Sequence, residues 1–102
     1  MKNNINTIYK KSYITIDNNG SLKDCNSATD PHYLYVVRST ALNRPSNPIT
    51  EFQMFILQAI WYDGLFQLGI SPVCDFIVLR RYSTNETQGW SEWYKASLVT
   101  AT

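Results

Sequence analysis

Three short clusters hold the side chains with most chemistry to offer. Trp61, Tyr62 and Asp63 fall together at a turn, Arg80, Arg81 and Tyr82 near the end of a β-like run, and Trp90-Ser91-Glu92-Trp93 close to the C-terminus. Sugar rings present apolar C–H faces that stack on flat aromatic rings. Their hydroxyls suit planar, bidentate partners such as Asp, Asn, Gln and Arg. The pattern therefore points to recognition of a carbohydrate, with Trp61, Tyr62, Asp63, Arg81, Trp93 and Asn85 as candidate glycan contacts. The competing reading is core and cross-strand packing, which must account for most aromatics in so small a domain. Arg80 and Arg81, if strand-borne, point to opposite faces. One is then solvated, and the other is half-buried against a carboxylate or a neighbouring subunit.

Catalysis finds little support. His32 is the single histidine and stands beside Pro31. No nucleophile elbow, zinc-protease helix or glycine-rich phosphate loop is present. The carboxylates form no sequence pair of the glycosidase kind. Cys25 and Cys74 match no metal spacing and read as two buried free thiols rather than a disulfide. Neither a metal nor a cofactor is expected. The sequons at Asn19 and Asn85 read as chance matches.

The elements that position these residues belong to one domain of 102 residues. Charged residues are sparse at 17%, and the net charge of +1 gives no drive toward nucleic acid or an anionic membrane. Aromatic content is raised at 14%, with abundant Asn, Ser and Thr, a mix common in β-rich proteins. No run approaches the ~18 apolar residues of a membrane span, and the N-terminus lacks the apolar core of a signal peptide. Residues 1–20 read as an N-terminal segment with a strand at SYITI, ended by the turn DNNGS, and residues 21–102 as the main body. Residues 21–31 are polar and turn-rich, with at most one short helical turn near 21–28. YLYVVR and FIVLRRY read as strands, and WSEWYK as the closing strand.

TEFQMFILQAIWYDG is ambiguous. Phe52, Phe55, Ile56, Ala59 and Ile60 fit a helical template, and Thr50 with Gln53 resembles a capping box. Yet the stretch is apolar nearly all round and runs into Asp63-Gly64, a hairpin signal, and then LFQLGI. Consistency with its neighbours favours a strand. The fold class is then mainly β: a small antiparallel, sandwich-like domain whose second half is a four-strand meander.

The run from about Leu22 to Ser97 resembles the pyocin-knob family, small domains near the C-termini of phage tail fibres and R-type pyocin fibres. The likeness is carried in order by Y-L-Y-V-V at Tyr33 to Val37, the apolar strand FQMFILQAI, Gln67 within LFQLG, FIVLRR, and W-S-x-W at Trp90 to Trp93, followed by Tyr94 and Lys95. The glycine usual ahead of the first aromatic strand is replaced by Asp30-Pro31-His32.

The resemblance implies that the ambiguous segment is a strand. It also implies a non-enzymatic viral protein of the virion's tail-fibre tip, made in the bacterial host cytoplasm. Such a receptor-binding head attaches to a surface polysaccharide (lipopolysaccharide, capsule or teichoic acid) and assembles as a homotrimer. The alternative is a trimerisation, capping or attachment module without a glycan site. Neither nucleic acid nor membrane insertion is expected. Gln67, Arg80, Trp90 and Ser91 then carry an architectural role, and receptor contacts fall in the loops Ser39 to Pro48, Trp61 to Leu65 and Ser83 to Gly89. As a terminal strand, W-S-E-W sends one indole inward to seal the core and the other outward, unless a bulge brings both to one face.

Overall fold

The structure, a computed structural model, describes residues 12–45, 54–83 and 89–101. Its strands form one six-stranded sheet in chain order: β1 (Tyr13–Ile16), β2 (Leu34–Val37), β3 (Phe55–Trp61), β4 (Leu65–Ile70), β5 (Phe76–Tyr82) and β6 (Tyr94–Ser97). The protein is mainly β, and β3 to β6 form the expected antiparallel meander. β1, from the N-terminal segment, pairs with β2 in the same sheet, and that pair is parallel. A parallel pair cannot be joined by a tight hairpin. The chain therefore crosses over through residues 17–33, and this crossover, with residues 38–45 after β2, forms the second layer instead of a second sheet. It contains one 3-10 turn, Cys25–Ser27, inside the expected window.

The inner face packs Tyr35, Val37, Phe55, Leu57, Phe76 and Val78 against Cys25, Ala28 and Ala41 of the cover. Register runs Tyr35–Leu57–Gly69–Val78 across the sheet. At Gly69 an added Cβ would come within 2.6 Å of Val78 and 2.8 Å of the Phe55 ring, so the glycine makes room for that ring.

The ambiguous segment is β3. Phe55, Leu57 and Ala59 face the cover, while Ile56 and Ile60 lie on the other face. A strand apolar on both faces satisfies a helical template by default, which is why periodicity did not separate the two. Phe52 and the capping-box residues Thr50 and Gln53 lie outside the described residues.

Two expectations are corrected. The closing strand does not include W-S-E-W: β6 begins at Tyr94, Trp90 makes an isolated bridge to Tyr82, and residues 91–93 are irregular. The cysteines are free, but only Cys25 is buried. Cys74 is exposed in the β4–β5 turn at φ 62°, where its amide donates to the Ser71 carbonyl at 2.9 Å. That tight turn carries its side chain out of the core.

Candidate functional site

The β3–β4 hairpin closes on Trp61 and Leu65 through Tyr62, Asp63 and Gly64. Asp63 (φ 50°) and Gly64 (φ 126°) supply the left-handed backbone such a short connection needs. The sequence places the aromatic pair at this tip, so the turn presents Tyr62 at 81% exposure and Trp61 at 58%. Trp61 does not swing freely, because its Nε1 donates to the Thr29 carbonyl of the cover at 2.8 Å. Arg81 reaches back from β5, its Nη2 donating to the Asp63 carbonyl at 2.9 Å and its guanidinium lying 5.4 Å from the Phe66 ring centre.

These groups surround an open cavity of about 510 Å³ at the end of the sheet, lined chiefly by Trp61, Asp63, Arg81 and Tyr82. A second hollow of about 320 Å³ shares Trp61, Leu65 and Tyr82 and adds Asn26, Thr29 and Trp90. Trp61 thus stands between two adjoining depressions, with Asp63, Arg81 and Tyr82 around the first. That combination can stack one flat apolar ligand face while offering charged acceptors and donors to hydroxyls at its rim.

Deeper in, W-S-x-W takes neither expected strand geometry. Arg80 is buried, with its guanidinium carbon 4.0 Å from the Trp90 ring centre and 4.3 Å from that of Trp93. Both indoles therefore meet the same cation. Its Nε donates to Gln67 Oε1 at 2.8 Å and its Nη2 to Asn26 Oδ1 at 2.8 Å. Neutral acceptors and indole faces hold this arginine, where the sequence predicts a carboxylate or a subunit. Burial pulls its pKa down to about 10, with Cys25 and Asp24 acting in the other direction. Gln67, fully buried, turns its Nε2 to the carbonyls of Cys25 at 2.7 Å and Ala28 at 3.0 Å. Trp93 also donates from Nε1 to the Asn43 carbonyl at 2.8 Å and meets Phe55 edge-on. Ser91 fastens to β5: its amide donates to the Arg81 carbonyl at 2.7 Å, and its Oγ accepts from the Arg81 amide at 3.0 Å.

Of the candidate glycan contacts, Trp61, Asp63 and Arg81 come together at one cavity, with Tyr62 on the hairpin tip beside it. Trp93 is turned inward and engaged in internal contacts. Asn85 lies outside the described residues, as do parts of the loops at 39–48 and 83–89. Arg80 points in and Arg81 out, the opposition the strand demands. The candidate set omits Tyr82, Thr29 and Asn26. Tyr82 follows from strand alternation with Arg80. Thr29 and Asn26 arrive from the cover, which no local pattern links to residue 61.

Among the described residues no group of three His, Cys, Asp or Glu is arranged to hold a metal, and no helix is long and apolar enough to cross a membrane. No family model, curated protein or solved structure matches the chain.

Proposed function

We propose that this protein is a non-catalytic receptor-binding head, of the tail-fibre kind, that attaches to a bacterial surface polysaccharide through the hollows flanking Trp61. The observation that carries the reading is the convergence of Trp61, Asp63 and Arg81, with Tyr82, on one cavity of about 510 Å³. The adjoining hollow of about 320 Å³ favours a chain of sugar units over a single residue, since a polymer can lie across both sides of the indole. The likeness to pyocin-knob domains supports the same reading and supplies the fibre, the virion location and the homotrimer. Each single site is weak, because water displaced from polar groups offsets much of the gain. Several copies on one fibre restore avidity.

The test is a dense bacterial-polysaccharide array probed with wild type and with Trp61→Ala. The expected result is a hit confined to one polymer class and lost in the variant. The variant should stay folded, since it gives up a half-exposed ring and one hydrogen bond to Thr29, a loss of about 1–2 kcal/mol. If Trp61→Ala leaves no folded species, the ligand role of Trp61 is wrong. A second reading, a capping or attachment module of a virion fibre, is favoured by the inward engagement of Trp90 and Trp93 around Arg80. Silence across a broad array would shift the assignment to that module.

A further inference from the structure

A sheet with one face on a core and the other in water normally alternates apolar and polar residues along each strand. Here the alternation is missing. The face turned away from the cover carries a row, in register across all six strands, of Tyr13, Leu34, Gln58, Leu68, Leu79 and Tyr94. The next row runs Thr15, Val36, Ile56, Ile70, Ile77 and Ala96, and a short third row holds Ile60, Phe66 and Arg81. Arg81, beside Phe66 at one end, is the single charged side chain on that face among the described strands. Tyr13 and Tyr94, on the two edge strands, are 62% and 59% exposed, and Ile70 is 45% exposed near the middle. A shallow apolar groove of about 260 Å³ runs between Tyr13, Leu34, Val36 and Ile56.

From these observations we infer that this outer face is the surface by which copies of the chain associate, sheet against sheet. Area is the first argument. Two rows at ~6.7 Å across six strands at ~4.8 Å spacing, with a third row over β3 to β5 alone, give a flat footprint of roughly 500 Å². Two such faces remove roughly 1,000 Å² before the relief of the side chains is counted, which is where specific interfaces begin. Left open, the patch stands at the upper end of the ~300–600 Å² covered by the largest patch of a soluble monomer, and patches of that size are often functional. Charge is the second argument. With one cation at a corner and no anion, the face selects against a charged partner and is compatible with itself. Aligned packing of two twisted sheets is a common solution for such faces. The inference goes beyond the proposed function: a face laid on its own copy closes a two-fold pair, a contact distinct from any three-fold axis of a fibre. It shares only Arg81 with the glycan cavity, which lies at the end of the sheet.

Sedimentation velocity over a range of concentrations, for wild type and for Leu79→Glu, tests it. Leu79 is 39% exposed on this face, so the substitution leaves the inner core untouched. The expected result is a wild-type mass of two or more chains, falling in the variant to the single-chain 11.8 kDa with the β spectrum retained. Hydroxyl-radical footprinting of the wild type gives a second readout that needs no mutation: Leu79 and Ile70 should be protected while Tyr62, on the hairpin tip, reacts. A wild type at single-chain mass throughout overturns both the interface and the homotrimer. An oligomer that persists in folded Leu79→Glu, or one whose Leu79 and Ile70 react freely, overturns the outer face alone. Both results leave the array experiment standing.

Discussion

At the Arg80 guanidinium, two indole faces and two neutral side-chain oxygens stand in the place of an anion. A desolvated cation over tryptophan is stabilised by about 2 kcal/mol per good contact, so the clamp offsets a substantial part of the burial cost. Gln67 is the hinge of this arrangement, because it accepts from Arg80 and donates to two buried carbonyls of the cover. Gln67→Leu keeps the bulk but takes this partner from Arg80 Nε and the Ala28 carbonyl, while the Cys25 carbonyl keeps only the Ala28 amide at 3.1 Å. We predict a loss of about 3–5 kcal/mol in urea unfolding, and a loss below about 1 kcal/mol would show that the network carries little. The Cys25 thiol lies close by, and burial pushes its pKa from 9.0 up to about 12. Below about pH 9 the thiol is protonated in both states. As pH rises further the unfolded chain ionises first, so stability falls until the folded thiol ionises as well. Arg80, depressed to about 10, slopes the opposite way above that value. The thiol is therefore best read between about pH 8.5 and 10, where the decline should be steeper in wild type than in Cys25→Ala. In the folded protein a thiol reagent should modify exposed Cys74 quickly and Cys25 only after unfolding.

Elements explain why such side chains are needed. The cover layer has almost no regular structure, so many of its backbone groups lack a ladder partner. Carbonyls of Cys25, Ala28, Thr29 and Asn43 are taken instead by amide and indole N–H donors from Gln67, Trp61 and Trp93. The sheet thus holds its lid by side-chain donors, and the parallel β1–β2 pair holds it by topology. Packing is as tight within the sheet. Gly69→Ala should cost about 1–3 kcal/mol, because the new methyl overlaps Val78 and the Phe55 ring at ordinary strand dihedrals. Thermal unfolding would measure it. An unchanged Tm would mean that Phe55 shifts aside without loss.

For the whole molecule, the proposed glycan cavity at the end of the sheet and the proposed association face meet only at Arg81. A consequence follows for valence. Leu79→Glu, once single-chain, should bind a soluble oligosaccharide as wild type does, yet lose about 10²-fold or more on a dense glycan surface, where linked sites reinforce one another. Parallel titrations in solution and on the array would read it. Equal loss in both formats would mean that the substitution damages the cavity itself.

Strand positions were largely legible in the residues. FIVLRRY is β5 to the residue, LFQLGI is β4, and SYITI and YLYVVR enclose β1 and β2, since β-branched and aromatic runs between turn residues leave few alternatives. The opposition of Arg80 and Arg81 follows from the period of two. The hairpin at Asp63-Gly64 was equally legible, because few residues other than Gly, Asn and Asp tolerate the left-handed backbone of so short a turn. Tertiary structure decided what depends on distant chain. It made the β1–β2 pair parallel, drew Thr29 and Asn26 to Trp61, and turned Cys74 outward. It also brought Trp90 and Trp93 to the same guanidinium. Local alternation fixes which way a strand residue points, but residues 91–93 are not in a strand. There the cost of burying Arg80 sets the geometry, and that cost appears only once the cover closes over the sheet.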